Sequence, residues 1–331
     1  MNPVVHAASA SGLHVPQAVL DDLGVVETRL AEELQAREPR LSEIAAHLVG
    51  AGGKRIRPLV VLLVAHAATS GALTRRDDVI EAAVALELIH SATLLHDDII
   101  DGGETRRGKP SALTVFGLGD TLVAGDFLFC RAFALCARFE AEVIRWAAGA
   151  CVALTEGEVL QARFRRNPLV TPADYLEIID RKTASLFASG ARTAAHLAGG
   201  SAALVETMRE CGTHVGRAFQ MQDDLLDIEG TSARTGKPRG LDLRDGNPSL
   251  PIVLALELDP EVRRIFGLES PTAAEIEHGL ARIGRSGVCR TVATRARGEL
   301  DAALAAIATL PASEARTALD LLAQSLGERT T

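Results

Sequence analysis

VIEAAVALELIHSATLLHDDIID, residues 79–101, is the stretch that decides the fold. Its apolar residues do not alternate with a period of two, which predicts a buried helix over 77–101 rather than a strand. The stretch ends in Asp97, Asp98 and Asp101. Acidic side chains at the C-terminal end of a helix oppose the helix dipole. This helix end is therefore a candidate site for a cation.

A second D-D-x-x-D motif lies at 223–227, again at the end of an apolar helix. In each motif the first and last aspartates are four residues apart, so they project from one face of the helix. The middle aspartates, Asp98 and Asp224, point about 100° away. A solvated acidic helix end would explain one such motif. Burying unpaired carboxylates twice would cost several kcal/mol for each ion unless cations neutralise them.

The paired motifs predict a magnesium site. Carboxylates suit a hard ion, and magnesium prefers a couple of carboxylates together with waters and phosphate oxygens. Two such motifs facing each other would bracket one diphosphate. The predicted metal ligands are Asp97, Asp101, Asp223 and Asp227.

Composition narrows the class of protein. The 331 residues are 47% hydrophobic but only 3% aromatic, a mixture that favours helices. The formal charge of −8 provides no basic field for nucleic acid. The five cysteines lack CxxC spacing and fit the reduced core thiols of a cytoplasmic protein. The N-terminus has no signal-peptide pattern, and no segment is predicted to cross a membrane.

Helical signals continue along the chain, which predicts an all-α fold. We expect a loosely ordered segment over 1–16 and a single domain over 17–331. The long irregular segment 230–248 is typical of a functional lid or a disordered loop. The predicted helices span 17–51, 58–70, 77–101, 111–137, 141–166, 172–198, 203–229, 249–257, 260–267, 273–284 and 287–325.

Cationic residues cluster where they could meet a phosphate. Lys54 and Arg57 stand at a predicted helix start, where backbone amides and positive charge favour anions. His90 lies two turns before the first acidic motif, on the same face. Arg106 and Arg107 follow that motif and could bind phosphate bidentately. An ordinary basic loop, a core histidine and neutralisation of neighbouring carboxylates are the alternatives for these residues taken singly.

Further polar residues extend this pattern. Lys182 and Thr183 interrupt an apolar helix, and a buried lysine needs an anionic partner. Gln220 shares a helix face with the second motif, and Lys237 lies in the long irregular segment. Two carboxylate clusters and a set of cations in one helical protein together indicate a diphosphate ligand.

Six segments carry a resemblance to a known family: GGKRIRP (52–58), ELIHSATLLHDDIIDGGETRRGKPS (87–111), AGDFLF (124–129), KTASLF (182–187), FQMQDDLLD (219–227) and GKPRGLDLRDGNPSLP (236–251). In these segments and their order the chain resembles the trans-isoprenyl diphosphate synthases, or polyprenyl synthetases. The likeness spans Lys54 to Pro251, and two D-D-x-x-D motifs combined with GGKxxRP are very specific. One departure is Asn247, where many members carry lysine.

The resemblance implies a large helical bundle of the isoprenoid synthase type with a central apolar cavity.

 It also implies bound magnesium, a homodimer, and the catalytic residues Asp97, Asp101, Lys182 and Asp223, with Asp98, Asp224 and Asp227 in supporting or water-mediated roles. The residues implied to hold the allylic diphosphate are Arg106, Lys182, Thr183, Gln220 and Lys237. Those implied to hold isopentenyl diphosphate are Lys54, Arg57, His90 and Arg107.

Product length is expected to depend on the helix that bears the first motif. Ala92, Thr93 and Ile89 lie upstream of the aspartates on the predicted tunnel face, and none is a bulky aromatic residue. In the family, large aromatics there stop chain growth early, so we expect a medium- or long-chain product, such as a quinone side chain. Peripheral membrane contact would then accompany product release. The alternative is that Phe133 or Trp146 floors the tunnel.

Three other functions remain open from the sequence. A short-chain farnesyl or geranylgeranyl diphosphate synthase would share every motif. A class I terpene cyclase would share the acidic motif and magnesium, but it needs no second-substrate site such as Lys54, Arg57 and His90 provide. A subunit of a heteromeric synthase would usually lack the acidic motifs, and both are intact here.

Overall fold

The computed structural model describes residues 14–50, 52–69, 72–106, 108–230 and 239–327, and these are almost entirely helical. The predicted all-α class is confirmed. A short antiparallel hairpin pairs β1 (Thr105–Arg106) with β2 (Lys109–Pro110), although no strand is predicted from the sequence. The helices are α1 Gln17–Glu33, α2 Pro39–Gly50, α3 Ile56–Ala68, α4 Arg76–Ile100, α5 Ala112–Phe116, α6 Leu118–Cys136, α7 Ala141–Phe164, α8 Pro172–Ile179, α9 Ser185–Leu197, α10 Ala202–Glu229, α11 Leu241–Asp245, α12 Leu250–Leu258, α13 Pro260–Phe266, α14 Ala273–Ser286, α15 Val288–Ile307 and α16 Glu314–Gly327.

Three helices that were predicted as continuous are each divided into two in the structure. The helix predicted over 17–51 breaks before Pro39, because a residue that precedes proline avoids the α conformation. The helix predicted over 111–137 breaks at Gly117, which has a φ of 80°. The helix predicted over 287–325 breaks between α15 and α16, where Pro311 lies.

Two further features were not predicted. A π-helical turn, Asp180–Ala184, joins α8 to α9 within the helix predicted over 172–198. The segment predicted to be irregular contains α11, whose first amides at Leu241 and Asp242 each donate to the carboxylate of Asp227 at 3.0 Å. A side chain distant in sequence therefore caps this short helix.

Two compact units form: a first unit of Met1–Ala148, Ser189–Arg209 and Ile307–Leu321, and a second unit of Gly149–Ala188, Glu210–Ala306 and Leu322–Thr331. The expectation of one domain over 17–331 stays a prediction. Of the segment expected to be loosely ordered, residues 1–13 lie outside the described residues.

In the first unit, α4 packs against α1, α3 and α6. Its side chains Val84, Leu88 and Leu95 are fully buried, which explains the apolar sequence of this helix. In the described part of the chain, α4 is the one helix long and apolar enough to cross a membrane, and 72% of its most apolar window is buried inside the protein. Such burial is usual for a core helix, so the described residues contain no clear membrane span.

In the second unit, a core cluster joins α8, α10, α12 and α13 through side chains such as Tyr175, Leu225, Ile252 and Phe266. The start of α8 is capped by its own sequence. Thr171 and Asp174 exchange side-chain to backbone hydrogen bonds in a capping box, and Pro172 is the first helical residue. This cap fixes where the helix that carries Lys182 begins.

Candidate functional site

The first acidic motif ends α4 in the first unit. Asp97 is half-buried and Asp101 is exposed, whereas Asp98 is only 1% exposed. The hairpin after α4 places Arg106 beside the motif, and its Nε donates to Asp98 Oδ1 at 2.7 Å. The structure therefore pairs Arg106 with the buried Asp98.

The turn before α3 directs one arginine inward. Arg55 has a φ of 46°, is buried, and pairs with Glu27 Oε1 at 2.6 Å and Glu87 Oε1 at 3.1 Å. The hydrogen bonds and charges of these carboxylates raise the pKa of Arg55 against the lowering effect of its burial. Lys54 is exposed and Arg57 is half-buried. The predicted substrate-binding cations therefore flank an anchored residue.

The predicted tunnel residues lie in the same helix, α4. Ile89, Ala92 and Thr93 are all buried, and the Thr93 hydroxyl donates to the carbonyl of His90 at 2.8 Å. His90 is half-buried one turn after Glu87. The roles of these residues in chain length and substrate binding stay predictions.

The two side chains considered as an alternative tunnel floor have different surroundings. Phe133 on α6 is 41% exposed. Trp146 lies under the guanidinium of Arg192, which is 4.1 Å from the ring centroid, and contacts the ring of His196 edge-on. A tunnel-closing role for either residue stays a prediction.

The second acidic motif ends α10 in the second unit. Asp223 and Asp227 are half-buried. Asp224 is buried and accepts hydrogen bonds from Gln220 Nε2 and from the amide of Leu250, both at 3.0 Å. The middle aspartate of this motif therefore fixes the start of α12.

Burial is the largest cause of the pKa shifts in this region. It raises the pKa of Asp224 to about 6, although hydrogen bonds from Gln220 and Leu250 favour the charged form. Burial, followed by the charges of Asp227 and Asp224, also raises the pKa of Asp242 well above its usual range. Burial also raises the pKa of the Tyr175 phenol, and the charge of Asp224 is the next largest cause.

A cavity of about 110 Å³ in the second unit brings several predicted residues together. The Lys182 ammonium donates to Gln161 Oε1 at 2.7 Å and pairs with Glu158. The Thr183 hydroxyl donates to Gln220 Oε1 at 2.9 Å. The cavity is lined by Gln161, Tyr175, Ile178, Ile179, Lys182, Thr183, Gln220, Asp224, Asp242, Asn247, Pro248 and Ser249.

Some of these residues were not predicted. Glu158 and Gln161 are polar residues three positions apart on α7, a spacing that places them on one helix face and could have identified them. Asn247, noted in the sequence only as a departure from lysine, accepts a hydrogen bond from Arg165 Nε at 3.1 Å. The predicted residues Arg107 and Lys237 lie outside the described residues.

The donors at both motifs fit magnesium chemically. Within the described ranges, no group of three or more His, Cys, Asp or Glu side chains is arranged to hold a metal ion. Magnesium ordinarily uses only one or two carboxylates and takes its other ligands from water and phosphate. The half-buried Asp97 and the exposed Asp101, one turn apart, supply such a donor pair.

Comparison with known proteins decides the family. The family described as polyprenyl synthetase matches residues 38–281. The chain belongs to the polyprenyl synthetase family. It is therefore a prenyltransferase.

Individual relatives cover nearly the whole polyprenyl synthetase chain. Solanesyl-diphosphate synthase 2 of Oryza sativa subsp. japonica is 36% identical, over 92% of this chain and 76% of its own. Heptaprenyl diphosphate synthase component 2 of Geobacillus stearothermophilus is 37% identical, over 93% and 96%. A polyprenyl synthase from Caulobacter crescentus CB15, complexed with calcium and isoprenyl diphosphate, has a TM-score of 0.88 at 35% identity, over 99% and 97%. Other matches range from geranylgeranyl to decaprenyl diphosphate synthases.

Proposed function

We propose that this polyprenyl synthetase condenses isopentenyl diphosphate with an allylic diphosphate to give a medium- or long-chain all-trans polyprenyl diphosphate. The observation that carries the proposal is the cavity in the second unit, where Lys182 and Thr183 stand beside the second acidic motif. In this reaction the allylic C–O bond breaks and a new C–C bond forms to the alkene. The alkene carbon skeleton then loses a proton, and diphosphate is the second product.

Lys182 and Thr183 are the donors for the allylic diphosphate. Gln161 and Glu158 hold the Lys182 ammonium at the cavity wall, and Gln220 fixes the Thr183 hydroxyl. Charged and hydroxyl donors held in place stabilise negative charge as it develops on a leaving group. The apolar side chains of the same wall exclude water, which would otherwise capture the allylic cation.

Magnesium would be held by Asp97, Asp101, Asp223 and Asp227. When bound, it would withdraw charge from the departing diphosphate. The Asp227 oxygens each accept one backbone amide but retain lone pairs that can meet a cation. We expect activity to be lost in EDTA and restored by added magnesium.

Isopentenyl diphosphate would be held by Lys54, Arg57, His90 and Arg107. The buried ion pairs of Arg55 fix the backbone between Lys54 and Arg57. This second-substrate site separates the proposal from a class I terpene cyclase, which would release a hydrocarbon and ignore isopentenyl diphosphate. The protein would work as a homodimer, because α6 exposes Leu118, Leu122, Val123 and Phe133, an apolar set that a second copy would cover. Light scattering of the pure protein measures this state.

Chain length follows from the side chains on α4. Ala92 and Thr93 are small, and Ile89 is not aromatic, so the helix places no large ring upstream of the first motif. A long polyprenyl product is a lipid, and we expect a cytoplasmic enzyme that contacts the membrane peripherally to release it. The substitution Ala92→Phe is expected to shorten the product.

One assay tests the proposed function. The pure protein is incubated with magnesium, isopentenyl diphosphate and geranyl, farnesyl or geranylgeranyl diphosphate, and the products are sized by chromatography. We expect polyprenyl diphosphates of six or more units. Products that stop at farnesyl or geranylgeranyl would indicate a short-chain synthase, and hydrocarbon formed without isopentenyl diphosphate would indicate a cyclase. Activity only after addition of a second polypeptide would indicate a heteromeric synthase.

A further inference from the structure

The π-helical turn Asp180–Ala184 is the part of the second unit that presents the cavity donors. Lys182 and Thr183 both lie in it, and both line the cavity although they are consecutive. Consecutive side chains on an α-helix point about 100° apart. Single π-helical turns within α-helices often occur at functional sites. The backbone of this turn therefore needs its own support.

Two glycines on neighbouring helices allow the turn to lie where it does. A Cβ atom on Gly157 of α7 would be 2.6 Å from the backbone nitrogen of Lys182. A Cβ atom on Gly216 of α10 would be 2.5 Å from Ala184 Cα. Glycine inside a helix costs about 1 kcal/mol relative to alanine, so both positions require a packing reason. The close backbone approach to the π-helical turn is that reason.

The residues beside these glycines form ion pairs with the same turn. Arg217, which follows Gly216, donates through Nε and Nη2 to both carboxylate oxygens of Asp180, the first residue of the turn. Glu156, which precedes Gly157, pairs with Arg181 at 2.7 Å. Each helix therefore supplies a glycine that admits the turn and an adjacent charged residue that holds it.

We propose that Gly157, Gly216 and Arg217 are positioning residues that hold the π-helical turn so that Lys182 and Thr183 meet the diphosphate. The proposal rests on the proposed function of the cavity and adds the backbone devices that shape it. The positioning residues act through Lys182 and Thr183 and touch no substrate themselves.

Gly212 is a control glycine that is packed as closely as Gly157 and Gly216, but not against the π-helical turn. A Cβ atom on Gly212 of α10 would be 2.5 Å from the Phe187 carbonyl oxygen, but Phe187 lies in α9, beyond the π-helical turn. Gly212→Ala therefore creates a similar clash without displacing Lys182 directly. Gly149→Ala on α7 meets no atom within 4 Å and serves as the neutral control.

The experiment measures the KM for farnesyl diphosphate and for isopentenyl diphosphate, together with the binding of inorganic diphosphate with magnesium by calorimetry. We expect Gly157→Ala and Gly216→Ala to raise the KM for farnesyl diphosphate about tenfold or more, because small displacements of positioned groups are costly. The KM for isopentenyl diphosphate should change much less. Gly212→Ala should lower the melting temperature without this KM change, and Gly149→Ala should change neither.

A double-mutant cycle separates positioning from general damage. In a Lys182→Met background, Gly157→Ala should add little to the KM for farnesyl diphosphate, because its effect passes through Lys182. If instead the two effects multiply in full, the positioning role is overturned. If Lys182→Met itself leaves KM and diphosphate binding unchanged, the proposed function of the cavity fails, whatever the glycine variants do.

A surface variant keeps the test decisive if the glycine variants do not fold. Asp180→Asn removes one charge from the bidentate pair with Arg217, and Asp180 is half-exposed, so the core stays intact. It should raise the KM for farnesyl diphosphate about threefold, in line with a partial displacement of the turn. Glu261→Gln, which weakens a similar bidentate pair with Arg264 elsewhere in the second unit, is the control. Equal KM values for the two variants would overturn the proposal.

Discussion

The two acidic motifs share one sequence pattern but differ in how their middle aspartate is held. In the first motif, the buried Asp98 accepts a charge-assisted hydrogen bond from the Arg106 guanidinium. In the second, the buried Asp224 accepts hydrogen bonds from neutral donors, the Gln220 side-chain amide and the Leu250 backbone amide. The middle aspartate of the first motif therefore has a cationic partner within its own unit, whereas the middle aspartate of the second motif has a pKa raised to about 6.

The last aspartates differ as well. Asp101 is exposed at the end of α4, whereas both oxygens of Asp227 accept amides at the start of α11. A repeated motif does not imply repeated physical conditions. In the first region one arginine supplies positive charge to the middle aspartate, whereas in the second region neutral amides donate hydrogen bonds to the middle and last aspartates.

The largest stability effect is expected at the inward arginine of the first region. Arg55→Met removes the guanidinium that pairs with Glu87, a carboxylate about as buried as Arg55. Breaking a buried ion pair on one side costs about 3–5 kcal/mol, so we expect a loss of this order in urea unfolding. The double variant Arg55→Met, Glu87→Met should recover much of the stability. Equal instability of the single and double variants would contradict a buried-charge origin.

The fold class and most of the chemistry are readable from the sequence, because helical periodicity and the spacing of charged residues are local signals. The break before Pro39 is also a local signal, which the continuous prediction over 17–51 passed over. By contrast, the cap on α11 depends on Asp227, which lies 14 residues before Leu241. No local pattern specifies a contact of that range.

The candidate site also contains residues that local sequence signals predict and residues that they do not. Lys182, Thr183 and Gln220 are predicted, and the structure places all three around one cavity. The spacing of Glu158 and Gln161 places them on one face of α7, but they were missed because spacing does not show which neighbouring helix that face meets. The inward orientation of Arg55 between Lys54 and Arg57 depends on a positive φ and on carboxylates from two other helices, so spacing alone could not predict it.

The next largest contrast is expected between the last aspartates of the two motifs. Asp101→Ala and Asp227→Ala should each lower kcat/KM about a hundredfold or more, since each removes a predicted metal ligand. Only Asp227→Ala should also lose about 1–2 kcal/mol of stability, because it removes a helix cap. Melting temperatures measured in EDTA separate the two effects. Equal destabilisation by both substitutions would contradict the capping role of Asp227.

A smaller effect is expected when the middle aspartates are made neutral. Asp98→Asn should cost about 1–2 kcal/mol, because Arg106 loses its anionic partner but is partly exposed to water. Asp224→Asn should be within about 1 kcal/mol of the wild type, because a neutral amide suits a site that already disfavours charge. Unfolding of both variants in EDTA at pH 8 makes the comparison. A larger loss of stability for Asp224→Asn than for Asp98→Asn would contradict the proposed difference between the motifs.

The last effect is the pH dependence of stability that follows from Asp224. Its pKa is raised from 3.8 to about 6 on folding, so the folded state binds a proton more tightly than the unfolded state. Below about pH 4 both states are protonated and the penalty is absent, whereas above about pH 6 both are ionised and the penalty is complete. The stability of the wild type relative to Asp224→Asn should therefore fall as the pH rises from 4 to 6, by about 1 kcal/mol per pH unit. A stability difference between the wild type and Asp224→Asn that stays constant from pH 4 to pH 6 would contradict this raised pKa.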